Sequence, residues 1–277
     1  MRTIIGLAVL SLVFTTLPAC VGSGGGSGGN NAADTTSAVD AGQPGDSASA
    51  PMGAVEGKVT DDAGNGVEGI MILACDDDSC ITTKTNGSGE YAVAVPVGWR
   101  KMQVMGTPKG FASMNFYQNI ENADAPAQAG DIVVITASAD PAVAFPAAEG
   151  GTAVLVGGAL TVTAAAGVAV YPIGQVEEVT AVKVSAAHLP PYDMDAPWAG
   201  KEEGSHAFHI NPLPVKAASE EQSFGFTVTG GSGDYTVYYV DDHYGTLHEG
   251  DAVSADADGN VSGTVPVLTT LILVPAG

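Results

Sequence analysis

From Gly53 onward the chain alternates short apolar runs with polar, glycine-containing breaks, a period-two rhythm that predicts β-strands rather than helices. In the first half the runs are Ala54 to Thr60, Val67 to Ala74, Ile81 to Thr85, Tyr91 to Val95, Arg100 to Met105, Ala112 to Tyr117 and Ile132 to Thr136. The breaks, Asp61 to Gly66, Asn86 to Gly89 and Pro96 to Gly98, carry turn chemistry. Seven such strands predict a small antiparallel sandwich. Beyond about Ala139 the composition shifts to Ala, Val and Gly, with Pro141 and Pro146 bracketing a linker. A second set of runs follows at Ala153 to Val156, Leu160 to Thr163, Val168 to Tyr171, Val179 to Ala186, Phe224 to Val228, Tyr235 to Val240, Asn260 to Val265 and Leu268 to Val274. Pro266 should mark a bend or a sheet edge. The pattern therefore predicts an all-β protein with two tandem antiparallel β-sandwich domains, at 53–138 and 139–277.

What precedes Gly53 has a different character. Met1-Arg2 is a short positive segment, Ile4 to Phe14 is apolar, and Leu17 to Cys20 is rich in small residues, the three parts of a secretory signal over 1–19. The apolar run is too short to span a bilayer. Val21 to Met52 is dominated by Gly and Ser, then by Ala, Asp, Ser, Thr and Pro. It has almost nothing to bury, so 20–52 reads as a flexible tether with a mean reach of about 30 Å.

Composition narrows the function classes. Nine Lys plus Arg against 31 Asp plus Glu give a net charge of −22, which repels phosphate backbones and excludes nucleic acid as a partner. The same charge argues against electrostatic attraction to anionic lipid headgroups. The three cysteines fit an exported chain: Cys20 closes the signal, and Cys75 and Cys80 remain as an even pair for an oxidising compartment. These two flank a four-residue polar tip between two apparent strands, so they can face each other across a hairpin as a disulfide.

Leu17-Pro18-Ala19-Cys20 resembles the lipobox of bacterial lipoproteins. The resemblance implies that the chain is cut before Cys20, that this thiol carries diacylglycerol and its amine a further acyl chain such as palmitate, and that the lipid bilayer is a partner. With no Asp after Cys20, it further implies an address at the outer membrane of the cell envelope. A second resemblance lies in Gly57-Lys58-Val59-Thr60-Asp61, Gly64 to Ile70, and Thr83 to Tyr91. In order and spacing these are similar to the carboxypeptidase regulatory-like domain of the prealbumin-like sandwich class. Gly66 and Asn86 depart from it, standing where that family often has Pro and Asp. That family implies a non-catalytic accessory module with no single common ligand.

Candidate chemistry is thin. Asp76-Asp77-Asp78 and the cluster Asp256-Ala257-Asp258-Gly259-Asn260 invite a calcium reading. The first is better explained as a solvated tip. The second lacks the twelfth-position Glu of a helix-loop-helix site, Val267 standing there, and reads as a hairpin turn. The interval 188–216 looks like a long loop, in which His206 and His209 would share a metal only if helical, with Asp193, Glu202 or Glu203 as third ligand. Ser88 and Ser232 sit in Gly-Ser-Gly turns and lack the surroundings of a nucleophile elbow. The aromatics Trp99, Trp198, Tyr192 and Tyr244 are candidates for a ligand face, while Tyr238 and Tyr239 should point to opposite sides of one strand. No metal or cofactor requirement is read. The expected function is a non-catalytic binding or structural module with a carbohydrate or envelope-protein ligand, the alternative being a secreted hydrolase or metal-dependent enzyme with its site in 188–216.

Overall fold

The structure is a computed structural model. It describes residues 51–76, 79–105, 114–121, 123–124, 126–133, 142–145, 149–166, 169–170, 178–190, 192–211, 215–217, 222–241 and 245–277, with the backbone alone given at 99, 100, 130, 131, 133, 169, 170 and 215–217. These residues form strands, turns and three short 3-10 segments, and belong to one compact unit. The fold is all-β, built from several sheets whose pairings among the described residues are antiparallel with one exception.

The first half supplies β1 (Met52–Thr60), β2 (Met71–Cys75), β3 (Cys80–Lys84), β4 (Glu90–Pro96), β5 (Gly98–Met105), β6 (Met114–Ile120) and β7 (Ala127–Val133). They make a three-stranded sheet in the order β4-β1-β7 and a four-stranded sheet in the order β3-β2-β5-β6. This three-plus-four arrangement is consistent with a prealbumin-like sandwich. Alternation explains the packing: in β4, Tyr91, Val93 and Val95 turn inward while Glu90, Ala92 and Ala94 face solvent. Ile72, Met102, Val104, Met114 and Phe116 meet them from the opposite sheet. The expectation of a purely antiparallel sandwich needs one correction, because β7 runs parallel to β1, with a register shift between Glu56 and Lys58. Two residues facing one let the strand keep its inward valines while β7 shifts along it.

The second half supplies β8 (Val143–Ala144), β9 (Gly151–Leu155), β10 (Leu160–Ala164), β11 (Ala169–Val170), β12 (Glu178–Val184), β13 (His206–Asn211), β14 (Val215–Ala217), β15 (Phe224–Thr229), β16 (Asp234–Val240), β17 (Leu247–Ser254), β18 (Asn260–Val265), β19 (Val267–Leu268) and β20 (Thr270–Pro275). A four-stranded sheet, β18-β15-β10-β9, packs on a six-stranded one, β17-β16-β20-β13-β12-β8, while β11, β14 and β19 form a small third sheet. Between the two large sheets lie Leu160, Phe208, Phe224, Val237 and Leu271. The other face of the six-stranded sheet is apolar as well. Val182, Ala207, Tyr238, Val240, Ile272 and Val274 are covered there by Trp198, Leu189 and Tyr192 from the connection after β12. A sheet buried on both faces shows continuous apolar runs rather than alternation, and β20, Thr-Leu-Ile-Leu-Val-Pro, is such a run. Pro266 separates β18 from β19, at a bend as expected.

The interval 188–216 is not one long loop, because β13 occupies its middle and pairs with β12 on one side and β20 on the other. His206-Ala207-Phe208-His209-Ile210-Asn211 is buried at four consecutive positions. Its two histidines and flanking Gly204 and Pro212 hide a central strand behind loop-like composition.

Candidate functional site

Three turns share one local device. Asp61 Oδ1 accepts hydrogen bonds from the Ala63 and Asn65 amides at 3.0 and 2.8 Å. Asn86 Oδ1 accepts from Ser88 and Glu90 at 2.9 and 3.0 Å. Asp256 Oδ1 accepts from Asp258 and Asn260 at 2.9 and 2.8 Å. In each, the fourth residue is a glycine at positive φ: Gly64 at 83°, Gly89 at 80° and Gly259 at 79°. The carboxylates are thereby engaged by the chain's own amides. The hydrogen bonds, led by the Asn65 side chain for Asp61 and by the Asn260 amide for Asp256, hold both acids below the usual carboxylate range. Asp256 serves a turn, as its spacing implied.

Cys75 and Cys80 stand opposite each other at the end of the β2-β3 hairpin and are joined as a disulfide, with Cα atoms 4.1 Å apart. At its tip Asp76 Oδ1 accepts from the Ser79 amide at 2.8 Å; Asp77 and Asp78 lie outside the described residues.

His206 and His209 fall on opposite faces of β13. His206 tilts over Tyr235 at 5.7 Å between centroids, and burial, then the charge of Lys183, lowers its pKa. His209 is 1% exposed, its Nδ1 lies 2.8 Å from Thr270 Oγ1, and burial depresses it to about 4. The pair cannot share an ion. Among the described residues no group of three His, Cys, Asp or Glu side chains is placed to hold a metal.

The aromatic candidates divide. Cys20 and Tyr244 lie outside the described residues, as does the side chain of Trp99. Trp198 is 5% exposed and packs on the six-stranded sheet, so its ring is interior and not a solvent-facing platform. Tyr192 meets it edge-on, with centroids 6.0 Å apart and planes at 88°. Tyr238 and Tyr239 do point to opposite faces: the first packs with Trp198 in one core, the second borders the other and stacks on His248 at 5.3 Å.

Tyr192 does more than pack on Trp198, because it also borders the core of the first sandwich. There it lines an open cavity of about 570 Å³ with Tyr117, Gln118, Asn119, Gln128, Asp193 and Thr246. The edge strand β6 contributes Tyr117, Gln118 and Asn119, and β7 contributes Gln128. The opposite wall comes from the second half, whose loops are pinned by hydrogen bonds. Asp193 Oδ1 accepts from the Leu247 amide at 2.9 Å. Asp241 accepts from the amides of Gly245 and Thr246 at 2.9 and 3.2 Å and from Thr246 Oγ1 at 2.6 Å, with His248 Nε2 at 3.1 Å.

The cleft's electrostatics follow from this lining. Among the described residues it holds three carboxamides, a hydroxyl, two phenols and one carboxylate, with no Lys or Arg. Partial burial, then the charges of Asp193 and Glu121, raises the pKa of Tyr117, and burial raises that of Tyr192. Both phenols stay neutral at physiological pH. The Tyr192 hydroxyl, near Thr270, is buried without a hydrogen bond of good geometry. Sequence reasoning reached Tyr192 but not Tyr117, Gln118, Asn119 or Gln128. The only local signal was the polar run Tyr117-Gln118-Asn119 in the outer half of β6.

No family model matches the chain, and no curated protein matches it either. The chain is similar to some solved structures at low identity. A DUF3823 family protein from Bacteroides ovatus is 13% identical, with a TM-score of 0.26 over 62% of this chain and 93% of that one. A DUF3823 family protein from Parabacteroides merdae is 10% identical, with a TM-score of 0.24 over 78% and 81%. A Streptococcal ancillary pilin is 10% identical, with a TM-score of 0.25 over 78% of this chain and 51% of the pilin.

Proposed function

We propose that this protein is a lipid-anchored envelope component whose cleft between β6, β7 and the 192–193 and 246 loops binds a carbohydrate, without catalysis. The observation that carries this reading is the chemistry of the lining. Carboxamides donate and accept at once, as sugar hydroxyls do, and a rigid site with a few such groups and apolar ring surface suits a polyhydroxylated ligand. The described lining residues include no Lys or Arg, and together with the net charge of −22 this disfavours anionic sugars. A peptide added as a further strand is also disfavoured, because Gly245 already lies against the backbone of the edge strand β6. Anchoring rests on Leu17-Pro18-Ala19-Cys20 and its resemblance to a lipobox, and the outer membrane on the lack of Asp after Cys20. The first sandwich serves as a carboxypeptidase regulatory-like support that presents β6 and β7.

The test is glycan-array binding of the detergent-solubilised full chain, compared with Asn119→Ala and Asp193→Asn. Saturable binding of neutral glycans that falls roughly tenfold or more in both variants supports the reading. Binding that survives both substitutions, or none at all, removes it.

A further inference from the structure

A second cavity, of about 560 Å³, lies on the outer face of the three-stranded sheet, lined by Glu56, Gly57, Lys58, Asn86, Glu90, Tyr91, Ala92 and Gln128. Four of its side chains, Glu56, Lys58, Glu90 and Gln128, come from strand positions that alternation turns away from the core, whereas Tyr91 turns inward. Glu56 stands opposite Ala92 and Gln128, and Lys58 opposite Glu90. Gln128 is common to both cavities. It sits on the edge strand β7, and its amide nitrogen donates to Glu56 Oε2 at 3.3 Å, which holds its side chain across the outer sheet face. The two cavities therefore share a wall residue on β7, the strand beside β1 and β4 in the three-stranded sheet.

We infer, building on the carbohydrate reading above, that the ligand is a linear glycan long enough to occupy both cavities, crossing at Gln128. Both cavities are open to solvent and similar in size, which suits successive units of a chain. Polar pairs along the outer face, Glu56 with Gln128 and Asn86 with Glu90 at 3.1 Å, offer hydroxyl partners that a single sugar in the cleft would not reach. Joining two weak sites through one ligand raises affinity without any change in either.

The experiment is isothermal titration of the detergent-solubilised full chain with N-acetylchito-oligosaccharides and malto-oligosaccharides, from disaccharide to octasaccharide. In at least one series affinity should rise roughly tenfold or more with length. Ala92→Arg, an exposed position on the outer face, should abolish that gain and leave disaccharide affinity within about twofold. Asn119→Ala should weaken every length. If affinity is independent of length, or if Ala92→Arg leaves the gain intact, the two-cavity ligand is wrong while the cleft reading stands. If no chain of either series binds, both readings fall.

Discussion

Gly245 lies against the main chain of Phe116: at φ +73°, a Cβ placed on it would stand 2.7 Å from the Phe116 carbonyl carbon and oxygen. The contact closes the exposed side of β6 with a backbone that only glycine can supply, protecting an edge strand that would otherwise present unpaired groups. Gly245→Ala should cost about 2 kcal/mol or more, from positive φ and from overpacking together. Urea unfolding measures it. A variant as stable as the wild type would mean that the turn moves aside freely.

His209 makes stability depend on acidity. Its pKa falls from 6.5 in the unfolded chain to about 4 in the fold, because burial disfavours the charged ring. The unfolded state therefore binds the extra proton first. The stabilisation is complete above pH 6.5 and is lost as pH falls toward 4, on the order of 3 kcal/mol in all. His209→Gln should flatten this limb of the stability curve. An unchanged curve would assign the acid sensitivity elsewhere.

The Tyr192 hydroxyl offers a finer probe. Deleting a buried group that makes no hydrogen bond should be neutral or slightly stabilising, by up to about 1 kcal/mol, so Tyr192→Phe should unfold no earlier than the wild type. A loss of about 1 kcal/mol or more would reveal a hydrogen bond to Thr270 in solution.

The Cys75–Cys80 bridge should resist alkylation until reductant is added. Replacing both cysteines by Ala should lower stability by roughly 2 kcal/mol, the value for closing so short a loop. Prompt labelling of the native chain by iodoacetamide would show the thiols free.

On the proposed lipid anchoring, Cys20→Ser should release the protein from membranes on fractionation, since acyl chains would supply the attachment. Continued sedimentation with membranes would remove lipidation as the anchor.

Much of this architecture was legible in the sequence. Strands with one dry face, such as β4 and β18, announce themselves through alternation, and the Asp256 turn is spelled by its residues. β13 was hidden because both of its faces are covered, so its histidines stand where hydrophobes would have marked a strand. β17 was missed because an outer strand needs little apolar content, and Leu-His-Glu-Gly-Asp reads as a loop. The parallel run of β7 leaves no local trace. The cleft was invisible for a different reason: residues 117–119, 128, 192–193 and 246 become neighbours only when the two halves meet. Exposure was equally unreadable for Trp198, whose burial depends on a sheet face formed by strands distant in sequence.

The order of the six-stranded sheet has a kinetic consequence. β20 lies between β16 and β13 yet follows both in the chain. Until it emerges, two rows of unsatisfied amides and carbonyls face each other across an empty slot, and any passing extended segment can fill it. A chain emerging from its N-terminus would thus stay vulnerable to mispairing until Thr270–Pro275 is available, then close at once. Holding such a nascent chain away from its neighbours until β20 arrives would matter more to its yield than the stability of the finished sheet.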